Sequence, residues 1–329
     1  MTDRQWNGVR ALVTGGAGFI GSHLADALVD RGARVVVVDN MASGALENLE
    51  GCWDGLESFV AADVADFDSM HTVFDRFRPQ VVFHQAASKK VACQDDVFRD
   101  LEVNARGTLV LLELALQFGA DRFVHASSGS VYGWPVQKQI TESHPLAPLT
   151  HYGVSKLSGD RYAKMYGAAY DLKTVILRYY HVYGPRQRCA DDNGGVVGIF
   201  CRRVAQGEPM LVRGRGFQAK TFTWVGDVVQ ANIGAALRGD AVGREYNVSS
   251  GEVACVLNLA RRIRELAARK NGVHAIIQCV GDDPKEPQHL SVGNLPATVL
   301  VGGRWKLLRH GLEHTFDWYW NRYRKEKGK

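Results

Sequence analysis

The chain of 329 residues lacks the features that mark several special classes of protein. Its six cysteines are scattered, with no C-x-x-C pair and no histidine cluster at metal spacing, so we expect neither a disulfide framework nor a metal site. No apolar run approaches 18 residues, which argues against a membrane-spanning helix. The first residues carry Asp3 and Arg4 and no apolar core, so we expect no signal peptide and a cytoplasmic protein.

Positive charge is also scarcer than the net value of +5 suggests. Residues 321–329 hold five basic side chains and one acidic one, and they account for most of the excess. The rest of the chain is nearly neutral, so we expect no nucleic-acid-binding surface. With 46% hydrophobic and 23% charged residues, the composition is typical of a globular enzyme with one large or two closely packed domains.

A glycine-rich turn near the amino terminus is the most specific local pattern. Residues 14–21, TGGAGFIG, follow a short apolar run and open a helical pattern. In such a turn Gly15 permits the tight bend, Gly18 lets the backbone approach a pyrophosphate, and Gly21 lets the helix pack on the strand. The helix amino terminus then offers free N–H groups to phosphates. Strand, turn and helix together predict a dinucleotide site.

An acidic residue follows at the spacing that such a site requires. Asp39 ends the apolar run 35–38, eighteen residues after Gly21. A carboxylate there accepts hydrogen bonds from a ribose 2′-hydroxyl and repels a 2′-phosphate. We therefore predict NAD, rather than NADP, as the cofactor.

The first half of the chain alternates short β-branched runs with helical patterns. The predicted strands are 9–13, 34–39, 58–62, 81–84, 122–127 and 174–179. Because these runs are apolar on both faces, they predict an α/β fold with a doubly wound parallel sheet, the Rossmann arrangement. We expect an NAD-binding domain over 1–183 and a smaller, mainly substrate-binding lobe over 184–329. Part of that lobe, about 221–240, should pack back on the first domain.

Functional side chains gather at the carboxyl ends of the strands in such sheets. After the third strand, Asp63 can bond an adenine amino group or cap a helix, and both interpretations stay open. After the fourth, the small Ala86 and Ala87 let the backbone approach a cofactor, and Lys89 can reach its phosphates or ribose. Three hydroxyls lie at the end of the fifth strand, within 127–130.

A tyrosine and a lysine open the long helix that we predict to end near Tyr170. Tyr152 and Lys156 are one helical turn apart, so their side chains share a face. An ammonium beside a phenol stabilises the phenolate and lowers its pKa from about 10 toward neutrality. The pattern is weak by itself, but Ser128 lies 24 residues upstream in a chain that already predicts an NAD site. We therefore predict that Tyr152 is a general base.

Together these motifs resemble the extended short-chain dehydrogenase/reductase family, and more closely its NAD-dependent nucleotide-sugar epimerases and dehydratases. The resemblance covers about residues 8–250 and loosens after that. It is carried by TGGAGFIG, Asp39, HQAA at 84–87, Ser128, YGVSK at 152–156 and RYYHVYGPRQ at 178–187.

The resemblance implies roles for individual residues. Ser128, Tyr152 and Lys156 match the catalytic positions of the family. NAD contacts are expected at Gly15, Gly18, Phe19, Ile20, Gly21, Asp39, Asn40, Asp63, Val64, Ala86, Ala87, Lys89, Asn104, Tyr152, Lys156, Tyr179 and His181. Substrate contacts are expected at Lys89, Ser128, Ser130, Tyr152, His181, Arg213, Lys220 and Gln288. Asn104 matches the family's structural asparagine on a helix beside the site. A homodimer through helices at about 100–118 and 152–170 is also implied.

One position separates branches of the family. The 4,6-dehydratases that the chain resembles place Asp-Glu after the catalytic hydroxyl, and the UDP-glucuronate decarboxylases keep a glutamate there. This chain has Gly129 and Ser130, which cannot shuttle a proton for elimination. The sequence is therefore more similar to the 4-epimerases, including those that act on UDP-galactose and UDP-glucuronate.

The chain also departs from those epimerases in the substrate site. They commonly have asparagine where His181 stands, and arginines in the places of Lys220 and Gln288. Arginine is the better bidentate clamp for phosphate, so the grip on a diphosphate should be weaker or rearranged here. Arg186, Arg213 and Arg215 are candidates to compensate.

The residues and the resemblance together predict an NAD-dependent epimerase of a nucleotide sugar, acting at C4 through a transient keto sugar. Three alternatives remain open from the sequence. They are a dehydrogenase or reductase that releases its cofactor, a dehydratase of the same fold, and a non-catalytic NAD sensor.

Overall fold

The computed structural model of the chain describes residues 5–88, 96–189, 194–282 and 291–324. Numbered along the chain, the strands are β1 (Arg10–Thr14), β2 (Arg34–Asp39), β3 (Ser58–Ala61), β4 (Val81–His84), β5 (Arg122–Ser128), β6 (Thr174–Tyr179), β7 (Val182–Tyr183), β8 (Met210–Arg213), β9 (Ala219–Thr221), β10 (Thr223–Trp224), β11 (Glu245–Val248), β12 (Val253–Cys255) and β13 (Ile277–Val280). The α-helices are α1 (Phe19–Val29), α2 (Phe67–Phe77), α3 (Val97–Asp100), α4 (Gly107–Gln117), α5 (His151–Tyr170), α6 (Val196–Ala205), α7 (Val225–Leu237), α8 (Val256–Asn271), α9 (Leu295–Thr298) and α10 (Leu308–Arg324).

A parallel sheet of seven strands, in the order β11-β6-β5-β4-β1-β2-β3, forms the centre of the described chain. Its inner strands are buried on both faces because they are runs of valine and other apolar residues, as in β2. This confirms the predicted doubly wound sheet. All six predicted strands match within one residue at each end, and β2, β4 and β6 match at both ends.

Helices cover both faces of the sheet. On one face α1 and α7 share an apolar core with β1 and β2, centred on residues such as Leu24, Val37 and Val228. On the other face α2, α4 and α5 share a second core that includes Phe74, Leu111 and Ala163. The strand order reverses between β1 and β4, and a crevice for ligands forms at the carboxyl ends of strands at such a point.

The second half of the chain builds a separate core beyond this crevice. α6, α8 and α10 pack around buried side chains that include Phe200, Leu259 and Phe316. Three short two-stranded pairs, β7 with β10, β8 with β13, and β9 with β12, border this core. None of the helices in the described part of the chain is long and apolar enough to cross a membrane.

The sequence pattern and the structure differ at two strands. The run Thr-Phe-Thr-Trp-Val at 221–225 predicts one strand, but the structure interrupts it at Phe222, whose ring is buried beside Tyr183, so β9 and β10 have different partners. The central sheet also contains β11, which was not predicted because Glu245 and Asn247 break the apolar pattern. Asn247 is nevertheless buried, since the Tyr132 hydroxyl donates to its side chain at 2.9 Å.

Candidate active site

The glycine turn brings the ends of β1 and β4 together. Gly15 has φ of +65°, and a Cβ there would lie 2.7 Å from the Cα of Ala86. A Cβ on Gly21 would lie 2.2 Å from the carbonyl oxygen of Gly15. The bend and the close approach both exclude side chains at these positions. The backbone therefore lines the crevice at the strand reversal.

The amino terminus of α1 is arranged to bind an anion. Gly18 has no side chain that could cap the helix, and the first turn contains no acidic residue. The first intrahelical bond runs from Ser22 N to Gly18 O at 3.1 Å. The N–H groups of Phe19, Ile20 and Gly21 precede that bond, so they point out of the helix end. Such an end binds phosphate through these N–H groups and the helix dipole.

Asp39 lies at the carboxyl end of β2, beside the glycine turn. It is buried, and it accepts hydrogen bonds from Ala17 N at 3.1 Å and Met41 N at 2.8 Å. These bonds fix the carboxylate at the strand end. The position suits recognition of a ribose hydroxyl next to the turn.

Asp63 lies after β3 in a polar group. Its carboxylate accepts from Asn40 Nδ2 at 2.8 Å, from Ala65 N at 2.9 Å and from Arg99. Burial raises the pKa of this carboxyl, but the hydrogen bonds and Arg99 outweigh burial and hold the pKa below its usual value. The neighbouring Val64 is buried and would contact any side chain at Gly107.

The segment after β4 is tied to two helices by Asn104. Its side-chain oxygen accepts from Ser88 N at 3.0 Å, and its amide donates to Asp100 at 2.7 Å and Ser155 Oγ at 3.2 Å. Asn104 is fully buried in a π-helical turn between α3 and α4. Ala86 and Ala87, just before Ser88, are half-buried. Lys89 lies outside the described residues.

Ser128 and Tyr152 come from neighbouring elements at the carboxyl end of the sheet. Ser128 ends β5, and its hydroxyl accepts from Ser130 N at 3.1 Å. Tyr152, half-buried, lies in the first turn of α5. That turn packs directly on the serine segment, since a Cβ on Gly153 would lie 2.7 Å from Ser130 O. The fold therefore packs the two segments that carry the predicted hydroxyls against each other.

Lys156 is buried one turn after Tyr152 on α5, near β4 and β5. It is 1% exposed, and its ammonium contributes to lowering the pKa of two buried imidazoles, His84 and His125. Burial is the larger cause for both imidazoles. His84 bonds Thr14 at 2.8 Å and Thr108 at 3.0 Å. The lysine therefore lies near two neutral imidazoles, of which His84 is hydrogen-bonded through both ring nitrogens.

An aromatic ring fills the space beside Gly129, the residue after Ser128. A Cβ on Gly129 would lie 2.3 Å from Cε1 and 2.6 Å from Cζ of Tyr180. Tyr180 is buried and stacks on Tyr132 with ring centroids 6.5 Å apart. A side chain at position 129 therefore requires that the Tyr180 ring move.

Tyr179 and His181 lie at the end of β6 in different surroundings. The Tyr179 hydroxyl donates to Gln85 at 3.0 Å and also bonds Asn232 of α7, so it holds elements together. His181 is exposed, has φ of +35° and packs against Phe222. Histidine and asparagine both tolerate positive φ better than most residues, which fits the exchange noted at this position.

The candidate diphosphate clamps are spread over the second core. Arg213 ends β8 and is exposed, as is Arg215, whose guanidinium lies over the ring of Phe217. Lys220 is half-buried in β9. Arg186 forms an ion pair with Asp26 of α1, with its Nη1 2.7 Å from the carboxylate. Gln288 lies outside the described residues.

Sequence reasoning missed the buried polar group behind Lys156. Asp160 of α5 accepts from Arg178 Nε at 3.0 Å, and Arg178 Nη1 donates to the Tyr132 hydroxyl at 2.7 Å. The available signal was the polar residues inside otherwise apolar strands, His125 in β5 and Arg178 in β6. Within the described ranges, no three His, Cys, Asp or Glu side chains group closely enough to hold a metal ion.

Comparisons with known proteins agree with this geometry. The profile of the NAD dependent epimerase/dehydratase family matches residues 11–249. The chain is similar to the UDP-glucose 4-epimerase of Mycolicibacterium smegmatis, with 40% identity over 250 residues, 74% of this chain and 78% of the relative. Nucleotide-sugar decarboxylases and 4,6-dehydratases are among the further relatives.

Solved structures show the same similarity. The Thermotoga maritima UDP-glucose 4-epimerase with UDP-glucose superposes with a TM-score of 0.86 at 32% identity, over 97% of this chain and 99% of that one. The Thermus thermophilus UDP-glucose 4-epimerase in complex with NAD has a TM-score of 0.84 at 35% identity, over 94% of this chain and 99% of that one.

Proposed function

Because the chain belongs to the NAD dependent epimerase/dehydratase family, we propose that it is an NAD-dependent epimerase of a nucleotide sugar, acting at C4. The observation that carries the proposal is the juxtaposition of Ser128, Tyr152 and Lys156 at the same sheet edge as the glycine turn. Because the relatives named above are UDP-glucose 4-epimerases, the first substrates to test are the UDP-hexoses UDP-glucose and UDP-galactose.

The residues present fit NAD. The backbone packs so closely at Gly15 and Gly21 that main chain, and no side chain, borders the turn where a pyrophosphate would bind, and the end of α1 supplies N–H donors. Asp39 takes the ribose hydroxyls, and Asp63 with Asn40 borders the adenine side. When bound, NAD supplies the hydride acceptor and donor that the reaction needs.

The chain's own side chains handle the proton. Tyr152 takes the proton from the C4 hydroxyl as the C4–H bond is broken, and Ser128 hydrogen-bonds the same oxygen and holds it in line. Lys156, buried one turn further along α5, favours the phenolate by its charge. The 4-keto sugar turns in the crevice, is reduced on its other face and regains its proton from Tyr152. No net redox change results.

The substrate side is formed by the second core. His181 and Ser130 border the sugar, and the cations Arg213 and Lys220 hold the diphosphate in place of the usual arginine pair. Elimination is disfavoured because Gly129 carries no acid and Tyr180 fills the adjoining space. A lone tyrosine base suffices for epimerisation, whereas loss of water needs a separate proton donor for the leaving hydroxyl.

The chain forms a homodimer through α3 to α5. Apolar side chains are exposed there, with Phe98 77% exposed and Leu101, Val154 and Met165 also exposed. Burying such residues against a second copy removes apolar surface from water.

The five cysteines of the described chain are free thiols, which supports a reducing compartment such as the cytoplasm.

The test of the proposed chemistry replaces Tyr152 by phenylalanine. We expect Tyr152→Phe to lower kcat on UDP-glucose by roughly 10²- to 10⁴-fold, since the proton acceptor is lost, while NAD stays bound. Epimerisation is followed by NMR and bound NAD by absorbance after gel filtration. Tyr170→Phe, at the exposed far end of α5, is the matched control and should leave both unchanged. A Tyr152→Phe variant with normal kcat would show that Tyr152 is not the general base.

A further inference from the structure

Three charged side chains are buried together behind the proposed base. Lys156 and Asp160 are one turn apart on α5, and Arg178 comes from β6. Each is only 1% exposed. Arg178 Nε donates to Asp160 Oδ2 at 3.0 Å, so the carboxylate is shared between the strand and the helix that carries Tyr152.

The carboxylate of Asp160 faces the guanidinium of Arg178, which keeps its proton. Burial raises the pKa of Asp160 above its usual value, and the Arg178 charge opposes that shift without cancelling it. Burial also lowers the pKa of Arg178, and the Asp160 carboxylate outweighs burial and leaves that pKa above its usual value. A buried pair of this kind is stable only when both charges are present.

The other groups near this cluster carry no compensating charge of their own. His125 Nε2 lies 3.6 Å from Asp160 Oδ1, and burial, with Lys156, lowers the pKa of His84 and His125 so that both are neutral. Tyr132 links Arg178 to Asn247 through its hydroxyl.

Three acidic residues lie further from Asp160, and each of them has its own hydrogen-bond partner. Asp100 reaches α5 through Asn104, and Glu142 accepts from Asn247 N at 2.8 Å. Two turns from Lys156, the partly exposed Lys164 pairs with Glu245 at 2.6 Å.

We propose that Asp160, held by Arg178, is a positioning residue that sets the positive charge presented to Tyr152 through Lys156. The inference rests on the proposed function, in which Tyr152 is the base. Two buried cations and one buried anion leave a single excess positive charge under the phenol. Asp160 therefore limits how far the lysine favours the phenolate.

The sign of the effect follows from charge alone. Removing the carboxylate leaves two cations near the phenol, which favours its ionised form and moves its titration to lower pH. Removing Arg178 leaves one cation and one anion, which moves the titration to higher pH. Each shift should be on the order of one pH unit.

The experiment compares Asp160→Asn, Arg178→Met and the double variant in the holoenzyme. Two readouts are taken, the pH midpoint of the kcat profile and the tyrosinate absorbance change that is lost in Tyr152→Phe. We expect opposite shifts in the two single variants and a midpoint near wild type in the double variant, where the excess charge is again one. Tyr132→Phe removes a hydrogen bond to Arg178 without a charge change, and it should leave the midpoint in place.

The outcomes separate the inference from the proposed function. Shifts of the same sign in both single variants, an equal shift in Tyr132→Phe, or no shift at all would overturn the role of Asp160. Should one single variant fail to fold, the other still tests the sign, and the double variant removes both buried charges together. Undiminished activity in Tyr152→Phe would instead overturn the proposed function.

Discussion

Position 129 shows how a single missing side chain shapes the candidate site. The ring of Tyr180 lies where a Cβ at 129 would be, and that ring is held by its stacking on Tyr132. Cores resist added volume, because neighbours must leave their preferred rotamers to admit it. The glycine next to Ser128 is therefore a packing requirement as well as a chemical one.

We expect Gly129→Ala to lower the free energy of unfolding by about 1–3 kcal/mol, the usual cost of overpacking. The cost should largely disappear in a Tyr180→Ser background, where the ring is gone. Urea unfolding of the four proteins in this double-mutant cycle gives the coupling.

Ser130→Ala is the matched control, since it changes a neighbouring half-buried residue without adding volume. Equal costs of Gly129→Ala in both backgrounds would show that the Tyr180 ring does not restrict this position.

Among individual residues, the sequence predicts those site residues whose roles depend on neighbours close to them in the chain. The glycine turn and Asp39 are recognised by spacing, because a tight bend and a strand end are local. The Asp160–Arg178 pair joins a helix to a strand 18 residues away, and only the tertiary structure shows that the two meet. The roles of Lys89 and Gln288 stay predictions.

Among the elements, α7 has an unusual acid in its first turn. Asp227 accepts from Lys306 N at 2.8 Å, which ties the segment before α10 to the helix. Burial raises the pKa of Asp227 to about 6, despite that hydrogen bond. The folded protein thus binds this proton more tightly than the unfolded chain, whose value is about 3.9.

Stability should accordingly fall as pH rises from about 4 to about 6, because the unfolded state loses the proton first. Asparagine keeps the acceptor oxygen and has no charge. We expect Asp227→Asn to raise the free energy of unfolding at pH 8 by up to about 3 kcal/mol, with a gain that shrinks as the pH approaches 4. Urea titrations at a series of pH values measure it.

Asp54→Asn, at an exposed site, serves as the control and should leave the pH dependence as in wild type. A constant difference between Asp227→Asn and wild type across the series would show that titration of this carboxyl is not the cause.

Strands were predicted well because buried parallel strands are apolar on both faces and stand out against helical periodicity. The sequence pattern did not predict β11, because this strand lies at the sheet edge and carries the polar residues Glu245 and Asn247. Its polar groups are satisfied by partners from other segments, such as Tyr132 and Lys164, which no local pattern reveals.

For the whole molecule, the exposed apolar surface on α3 to α5 bears on assembly. We expect the wild type to sediment as a dimer and Leu101→Asp to sediment as a monomer at micromolar concentration, since a charge would be buried unpaired in the interface.

Leu295→Asp, at a residue that is 83% exposed on α9, should leave the mass unchanged. A wild-type chain that remains monomeric at high concentration would contradict the assembly.

The central claim, that C4 of a nucleotide sugar is oxidised and reduced again within one site, is tested most directly by an isotope. Wild-type protein with NAD is given UDP-glucose deuterated at C4, and the products are analysed by NMR and mass spectrometry. The account predicts UDP-galactose that retains deuterium at C4, with no net NADH. A product lighter by one water, NADH formed in proportion to substrate, or deuterium lost to solvent would contradict it.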